Sequence, residues 1–129
     1  MTPTLVADAR AAVAPLLGAR TRVLVGLAGA PGAGKSTLAQ ALVDSFAVEV
    51  PSLVVPMDGF HLSNVELERL GLADRKGAPE TFDAAGFVHL LQRLRASTEL
   101  VYAPAYSRIL HESIGGAIAV APSVRLIVV

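Results

Sequence analysis

The octapeptide Gly29-Ala30-Pro31-Gly32-Ala33-Gly34-Lys35-Ser36 constrains this chain more than any other stretch. It fits the phosphate-cradling pattern G-x-x-x-x-G-K-[ST] at every fixed position. Its flanks agree with it: Thr21 to Ala28 is mostly apolar and reads as a buried strand, and Ser36 to Val43 reads as a helix. Glycines at this spacing let the backbone curl until successive N–H groups point at anionic oxygens. The helix that follows adds its unpaired N-terminal N–H groups and the positive end of its dipole. Lys35 then reaches the β- and γ-phosphates, and the Ser36 hydroxyl ligates Mg²⁺. A ligand-free glycine turn gives no reason for strand, loop and helix to coincide. Gly29 through Ser36, with Thr37 behind them at the start of the helix, are therefore expected to bind a nucleoside triphosphate.

The elements around this loop alternate. Thr2-Pro3 supplies a cap residue and a proline at the first helical position. Leu5, Ala9, Ala12, Val13, Leu16 and Leu17 then recur at helical spacing up to Gly18. The helix after the phosphate loop is expected to end near Phe46, and Ser52 to Met57 reads as a second short buried strand. Ser63-Asn64-Val65-Glu66 matches a capping box, with a short helix running to Leu70 before Gly71. Leu72 to Thr81 reads as a charged loop. A further helix starts at Asp83, with Phe82 and Phe87 spaced for a hydrophobic staple. From Glu99 to Val120, β-prone pieces at Leu100–Tyr102, Ser107–Leu110 and Ala117–Val120, interrupted by Pro104 and Gly115-Gly116, read as strand or hairpin excursions. Val124 to Val129 is a strong buried-strand signal. Strands alternating with helices predict an α/β fold with a parallel central sheet.

At 129 residues the chain suits a single domain with its own core. It is apolar, at 53% hydrophobic residues, yet no apolar run reaches the ~18 residues of a membrane span and no secretory signal pattern opens it. Eleven basic against eleven acidic residues leave no net charge, so no nucleic acid or membrane partner is expected. The absence of cysteine excludes a disulfide scaffold and thiolate metal ligation, and fits a cytoplasmic location.

A phosphate loop names a ligand but no reaction. Met57-Asp58-Gly59-Phe60-His61 narrows the choice, because it follows the second strand directly. Asp58 is thereby expected at the carboxyl edge of the sheet, where open α/β sheets bind ligands. A carboxylate there can take the proton of a hydroxyl attacking a γ-phosphate; the alternative is a loop carboxylate bonded to nearby backbone. His61 reads equally as a buried, hydrogen-bonded imidazole or as a substrate contact.

Three stretches together carry a family likeness: Gly29 to Ser36, Asp58-Gly59-Phe60-His61, and Arg75-Lys76-Gly77-Ala78-Pro79-Glu80-Thr81-Phe82-Asp83. The chain resembles the phosphoribulokinase/uridine kinase group of P-loop kinases, and within it pantothenate kinase and its nucleoside/nucleotide kinase-like relatives. That resemblance implies a P-loop NTPase-type three-layer α/β/α fold and transfer of phosphate from MgATP to a small hydroxyl-bearing acceptor, with Asp58 as base and Lys35 on the phosphates. It implies that Arg75 and Lys76 lie near the acceptor or the transferred phosphate, where cations offset developing charge. A solvated charged loop is the other reading of that pair. Asp83 divides between helix cap and substrate contact. Tyr102 to Arg108 resembles the group's substrate-side segment, in which Tyr106 packs on the acceptor and Arg108 meets phosphate; a surface aromatic and a surface charge are the plain alternatives.

The group carries an acidic residue after the strand corresponding to Arg125–Val129, and later a lid helix. Neither is present in these 129 residues, so a C-terminally truncated kinase is expected, with a cut sheet edge at Val129 that can recruit a second copy. A nucleotide-binding fragment without turnover is the competing expectation. A GTPase switch would need an asparagine-lysine-x-aspartate element, and neither Lys35 nor Lys76 stands in one. An ABC-type ATPase would need a serine-glycine-glycine signature, also missing. Pantothenate, a nucleoside and a sugar such as fructose all remain open as acceptors.

Overall fold

Three apolar strands, β1 (Val23–Val25), β2 (Ser52–Val54) and β5 (Leu126–Val128), form a parallel sheet in the order β1-β5-β2. Leu126 pairs with Val23 on one side and Ser52 on the other, so β5 is central and its three residues are buried. The computed structural model describes residues 3–30 and 32–129 of the chain. Thr2, expected as the first helix cap, and Pro31 of the phosphate loop lie outside the described residues. The strands are shorter than the apolar runs that announce them. The backbone ladder nonetheless continues beyond β1, with Val129 donating to the Val25 carbonyl and Leu27 to the Val129 carbonyl, both at 2.9 Å.

The sheet belongs to a unit made of residues up to Pro56 together with Ala121–Val129. Its helices are α1 (Pro3–Ala19) and α2 (Lys35–Phe46), which pack on each other and on the strands. Val13 and Leu17 of α1 and Ala39, Leu42, Val43 and Phe46 of α2 meet Val23, Leu126 and Val128 in one apolar core. The helical spacing read from Leu5 to Leu17 thus resolves into one buried edge, Val13 and Leu17, while Leu5 and Leu16 stay exposed. Gly18 does not close α1, which runs on to Ala19. The closing device comes from far along the chain: the Arg125 guanidinium donates to the carbonyls of Leu17, Arg20 and Thr21. It thereby satisfies the Leu17 carbonyl, one of those that a helix end leaves without partners, together with two carbonyls of the chain just beyond the helix.

The second unit spans Met57–Val120. It opens with a 3₁₀ turn, Met57–Phe60, followed by α3 (Asn64–Arg69), two further short turns, α4 (Ala84–Ala96) and the antiparallel hairpin of β3 (Val101–Ser107) and β4 (Glu112–Val120). Ser63 caps α3 by accepting from the Glu66 amide at 3.2 Å, while the Glu66 carboxylate pairs with Arg69 rather than closing the box. That hydrogen bond raises the Arg69 guanidinium above its usual value. Asp83 caps α4 through the Gly86 amide at 2.9 Å. The rings expected to form a staple have other partners, Phe82 packing on His61 and Phe87 on Phe60.

Of the two expectations for the β-prone pieces after Glu99, strands or hairpin excursions, the structure has the hairpin, with all three pieces in one ribbon and its turn. Ser107–Leu110, expected as a strand, contains the end of β3 and the turn. Pro104 and the glycine pair do not break the ribbon but mark a bulge. Ala103 pairs with Ile118 and Ala105 with Ile114, leaving Pro104 opposite Gly115, Gly116 and Ala117. Pro104 has no N–H to offer the ladder, and Gly116 supplies the positive φ of 64°.

Candidate functional site

The phosphate loop lies between β1 and α2 in the first unit. Gly32 and Gly34 adopt φ of 79° and 87°, the left-handed conformation that glycine reaches without strain. Gly34 occupies the N-cap of α2 and offers no side chain to its free amides. Ser36 and Thr37 are exposed at that helix start, and a Cβ built on Gly32 or Gly34 would meet no atom within 4 Å. The Lys35 ammonium folds back over the loop and donates to the Gly29 carbonyl. An open, donor-rich helix start beside a lysine is the donor set that a triphosphate's oxygens require, so the residues present fit a nucleotide's phosphates.

The remaining expected site residues fall in the second unit, where several converge. Asp58 sits in the 3₁₀ turn, its side chain half exposed, with Oδ2 3.8 Å from the Arg108 guanidinium. His61 closes the same turn. Its Nδ1 lies 2.8 Å from the Asp58 carbonyl, which makes Nδ1 the protonated nitrogen and leaves Nε2 as an acceptor. The imidazole packs against Phe82 at 4.2 Å and Tyr106 at 4.5 Å between ring centroids. Both readings of His61 are therefore accommodated: its ring is held by hydrogen bonding and stacking, yet one nitrogen stays available. Gly59 is buried, and a methyl group there would run into the Pro104 carbonyl. The bulged strand thus presses directly on the turn that carries Asp58.

Lys76 joins this group from the charged loop. Its ammonium donates to Asn64 Oδ1 at 2.7 Å and to the His111 carbonyl, and stands 5.1 Å over the Tyr106 ring. Arg75 and Asp83 are engaged elsewhere, Arg75 with Glu80 and Asp83 at the α4 cap. The loop from Gly77 to Thr81 is organised by Thr81, whose buried hydroxyl accepts from the Gly77 amide at 3.0 Å and donates to the Ala78 carbonyl at 2.7 Å.

Sequence reasoning passed over Asn64, Thr81, Glu112 and Ser113. Asn64 donates its amide to Glu112 Oε1 at 2.8 Å and its side chain to the His111 carbonyl at 3.0 Å, and Ser113 donates to the His61 carbonyl at 3.1 Å. Asn64 stood inside a recognised capping box, which explained its position and hid its second use. The separation of 48 residues from Glu112 leaves no local signal to find.

Comparison with known proteins bears on the family and the fold. The sequence pattern of the Phosphoribulokinase / Uridine kinase family matches residues 24–98. A Schizosaccharomyces pombe protein described as a candidate uridine kinase is 38% identical over 122 residues, covering 88% of this chain and 52% of its own length. A pantothenate kinase of Nocardioides sp. is 38% identical over 96 residues, covering 72% of this chain and 29% of its own. A crystal structure of a candidate fructose transport system kinase from Silicibacter sp. TM1040 superposes with a TM-score of 0.87 at 44% identity. It covers 99% of this chain and 62% of the other. The chain thus spans about half or less of the length of these two curated relatives. Among the described residues no helix is long and apolar enough to cross a membrane.

Proposed function

Because the chain belongs to the phosphoribulokinase/uridine kinase family, we propose that it takes part in ATP-dependent phosphorylation of a hydroxyl group on a small metabolite. The observation that carries this reading is the Asp58 turn. The backbone of the turn is held by the His61 imidazole on the Asp58 carbonyl and by the buried Gly59 against Pro104, and its half-exposed Asp58 carboxylate has Arg108 beside it. Positioned acid–base groups need fixed geometry more than they need unusual charge.

In this reading Gly29–Thr37 hold the triphosphate, with Lys35 on its oxygens and Ser36 on Mg²⁺. The nucleotide supplies the phosphoryl group. Asp58 takes the acceptor's hydroxyl proton as that oxygen bonds to the γ-phosphorus, and the bond to the β-phosphate oxygen breaks to leave ADP. His61 Nε2 and Tyr106 line the acceptor side, and Arg108 meets negative charge there. The names of the relatives supply the acceptors to try first: pantothenate, uridine and fructose.

The test is ADP release from MgATP across pantothenate, uridine, cytidine, fructose, ribose and ribulose 5-phosphate, with Asp58→Asn as control. Acceptor-dependent release that falls by two or more orders of magnitude in Asp58→Asn, with ATP affinity retained, is the expected result. Turnover at the wild-type rate in Asp58→Asn would place the base elsewhere. ATP binding with no acceptor-dependent release would leave a nucleotide-binding module instead of a kinase.

A further inference from the structure

We propose that Lys76 is a positioning residue that fastens the turn of the β3–β4 hairpin to the start of α3, and so holds Tyr106 against His61 and Arg108 beside Asp58. The inference rests on the kinase reading for its effect on turnover, but the fastening itself does not depend on it.

The turn is anchored at one backbone atom. The His111 carbonyl accepts from both the Lys76 ammonium and Asn64 Nδ2, and Asn64 Oδ1 accepts in turn from Lys76. Three groups close a triangle, and the Asn64 amide adds a fourth link to Glu112 Oε1. His111 is the one described residue other than glycine with positive φ, 53°, a conformation that persists when its surroundings hold it. The turn it terminates begins beside Ser107, whose hydroxyl accepts from the Leu110 amide at 3.0 Å. Between them stands Arg108, the residue that faces Asp58 Oδ2. On the strand side, Tyr106 is covered by Lys76 and by His61.

The geometry also limits what else Lys76 does. An ammonium has three hydrogens, and two of them are directed to protein acceptors while the charge rests over an aromatic face. A lysine serving as a mobile counter-ion for a transferred phosphate would not need the Asn64–His111 pair. Neighbouring Arg75 has its own partner in Glu80 and takes no part in the triangle.

Two variants separate positioning from phosphate contact. Lys76→Met keeps most of the stem and removes the charge and donors. Asn64→Ala removes the shared partner and leaves the lysine charge in place. Amide hydrogen exchange of residues 108–112 is expected to rise about tenfold in both, with the amides of α2 unchanged, since exchange reports local opening. With the acceptor found in the ADP-release panel, each variant is expected to raise the acceptor KM about tenfold with little change in the KM for ATP. The double variant is expected to be no worse than about the larger single effect, as for residues in one hydrogen-bond network. Unchanged exchange in Lys76→Met overturns the proposal whatever the activity shows. A loss of kcat in Lys76→Met with Asn64→Ala like wild type also overturns it, assigning Lys76 to the phosphate. If the wild type shows no acceptor-dependent release, the kinase reading fails separately and exchange alone decides the fastening.

Discussion

Replacing Gly59 by alanine tests whether the hairpin bulge and the Asp58 turn form one mechanical unit. The backbone at Gly59 is not in the left-handed region, so alanine is permitted locally and the effect isolates the contact with Pro104. The added methyl would overlap the Pro104 carbonyl and approach Pro104 Cγ at 3.1 Å. A carbonyl in a strand cannot swing aside as a flexible side-chain end can. The cost should therefore lie near the top of the overpacking range, about 3 kcal/mol. A stiffer unfolded chain returns about 1 kcal/mol. The net is about 2 kcal/mol, which for a chain of this size lowers the thermal midpoint by about 6–10 °C.

Gly115→Ala is the matched control, since a Cβ there meets nothing within 4 Å and its φ is also ordinary. It should stay within about 0.5 kcal/mol of wild type. Both variants are followed by circular dichroism melts, and by ADP release below the transition. Gly59→Ala should lose acceptor-dependent turnover beyond its loss of folded protein, because the shift is taken up by the turn that carries Asp58. Affinity for MgATP, whose loop lies in the other unit, should be unchanged. A midpoint equal to that of Gly115→Ala would refute the argument that Pro104 presses on this turn.

Lys35→Ala should weaken MgATP binding at least tenfold, about the value of one charge-assisted hydrogen bond, and unchanged affinity by calorimetry would contradict the phosphate-loop assignment. Thr81→Val keeps the shape of the side chain but strips the Gly77 amide of its buried partner. A loss of about 1–3 kcal/mol in denaturant unfolding is expected, and no loss would mean that water satisfies the loop. Arg125→Met removes the donors to three carbonyls around the end of α1. It should cost about 1–3 kcal/mol and speed hydrogen exchange in the last turn of α1, and an unaltered helix end would show that the guanidinium is dispensable.

What the sequence makes legible is what neighbouring residues decide together. The phosphate loop needs a strand, two left-handed glycines and a helix start in succession, and all are written within about fifteen residues. The caps at Ser63 and Asp83 are equally local, each accepting an amide three residues on. The parallel sheet follows from three apolar runs, although their order, with the last strand central, is a tertiary result. Arg125 closing α1 and Lys76 meeting His111 depend on separations of 108 and 35 residues, and no periodicity encodes such pairs. Lys76 was marked by its motif as a charge near the reacting groups. Its bonds to Asn64 and His111 supply a different reason for a lysine there, which the motif alone does not contain.

The hairpin is among the local readings of its segment, but the continuity of its strands is not. Proline and paired glycines ordinarily end strands, so Pro104 and Gly115-Gly116 divided the segment into pieces. In the folded chain the same residues let a continuous ribbon bend. Pro104 needs no ladder partner, and Gly116 takes a positive φ where three residues of the opposite strand face Pro104 alone. The bend brings the Pro104 carbonyl onto Gly59, and Gly59 in turn is the one residue of its turn with no side chain to obstruct that approach. Two apparent strand-breakers and a glycine 45 positions before the first of them are thus a single packing solution. Substituting either side alone should damage it, whereas a compensating pair, Gly59→Ala with a smaller residue at Pro104, should recover little. The obstacle is the Pro104 backbone carbonyl, which no side-chain change removes.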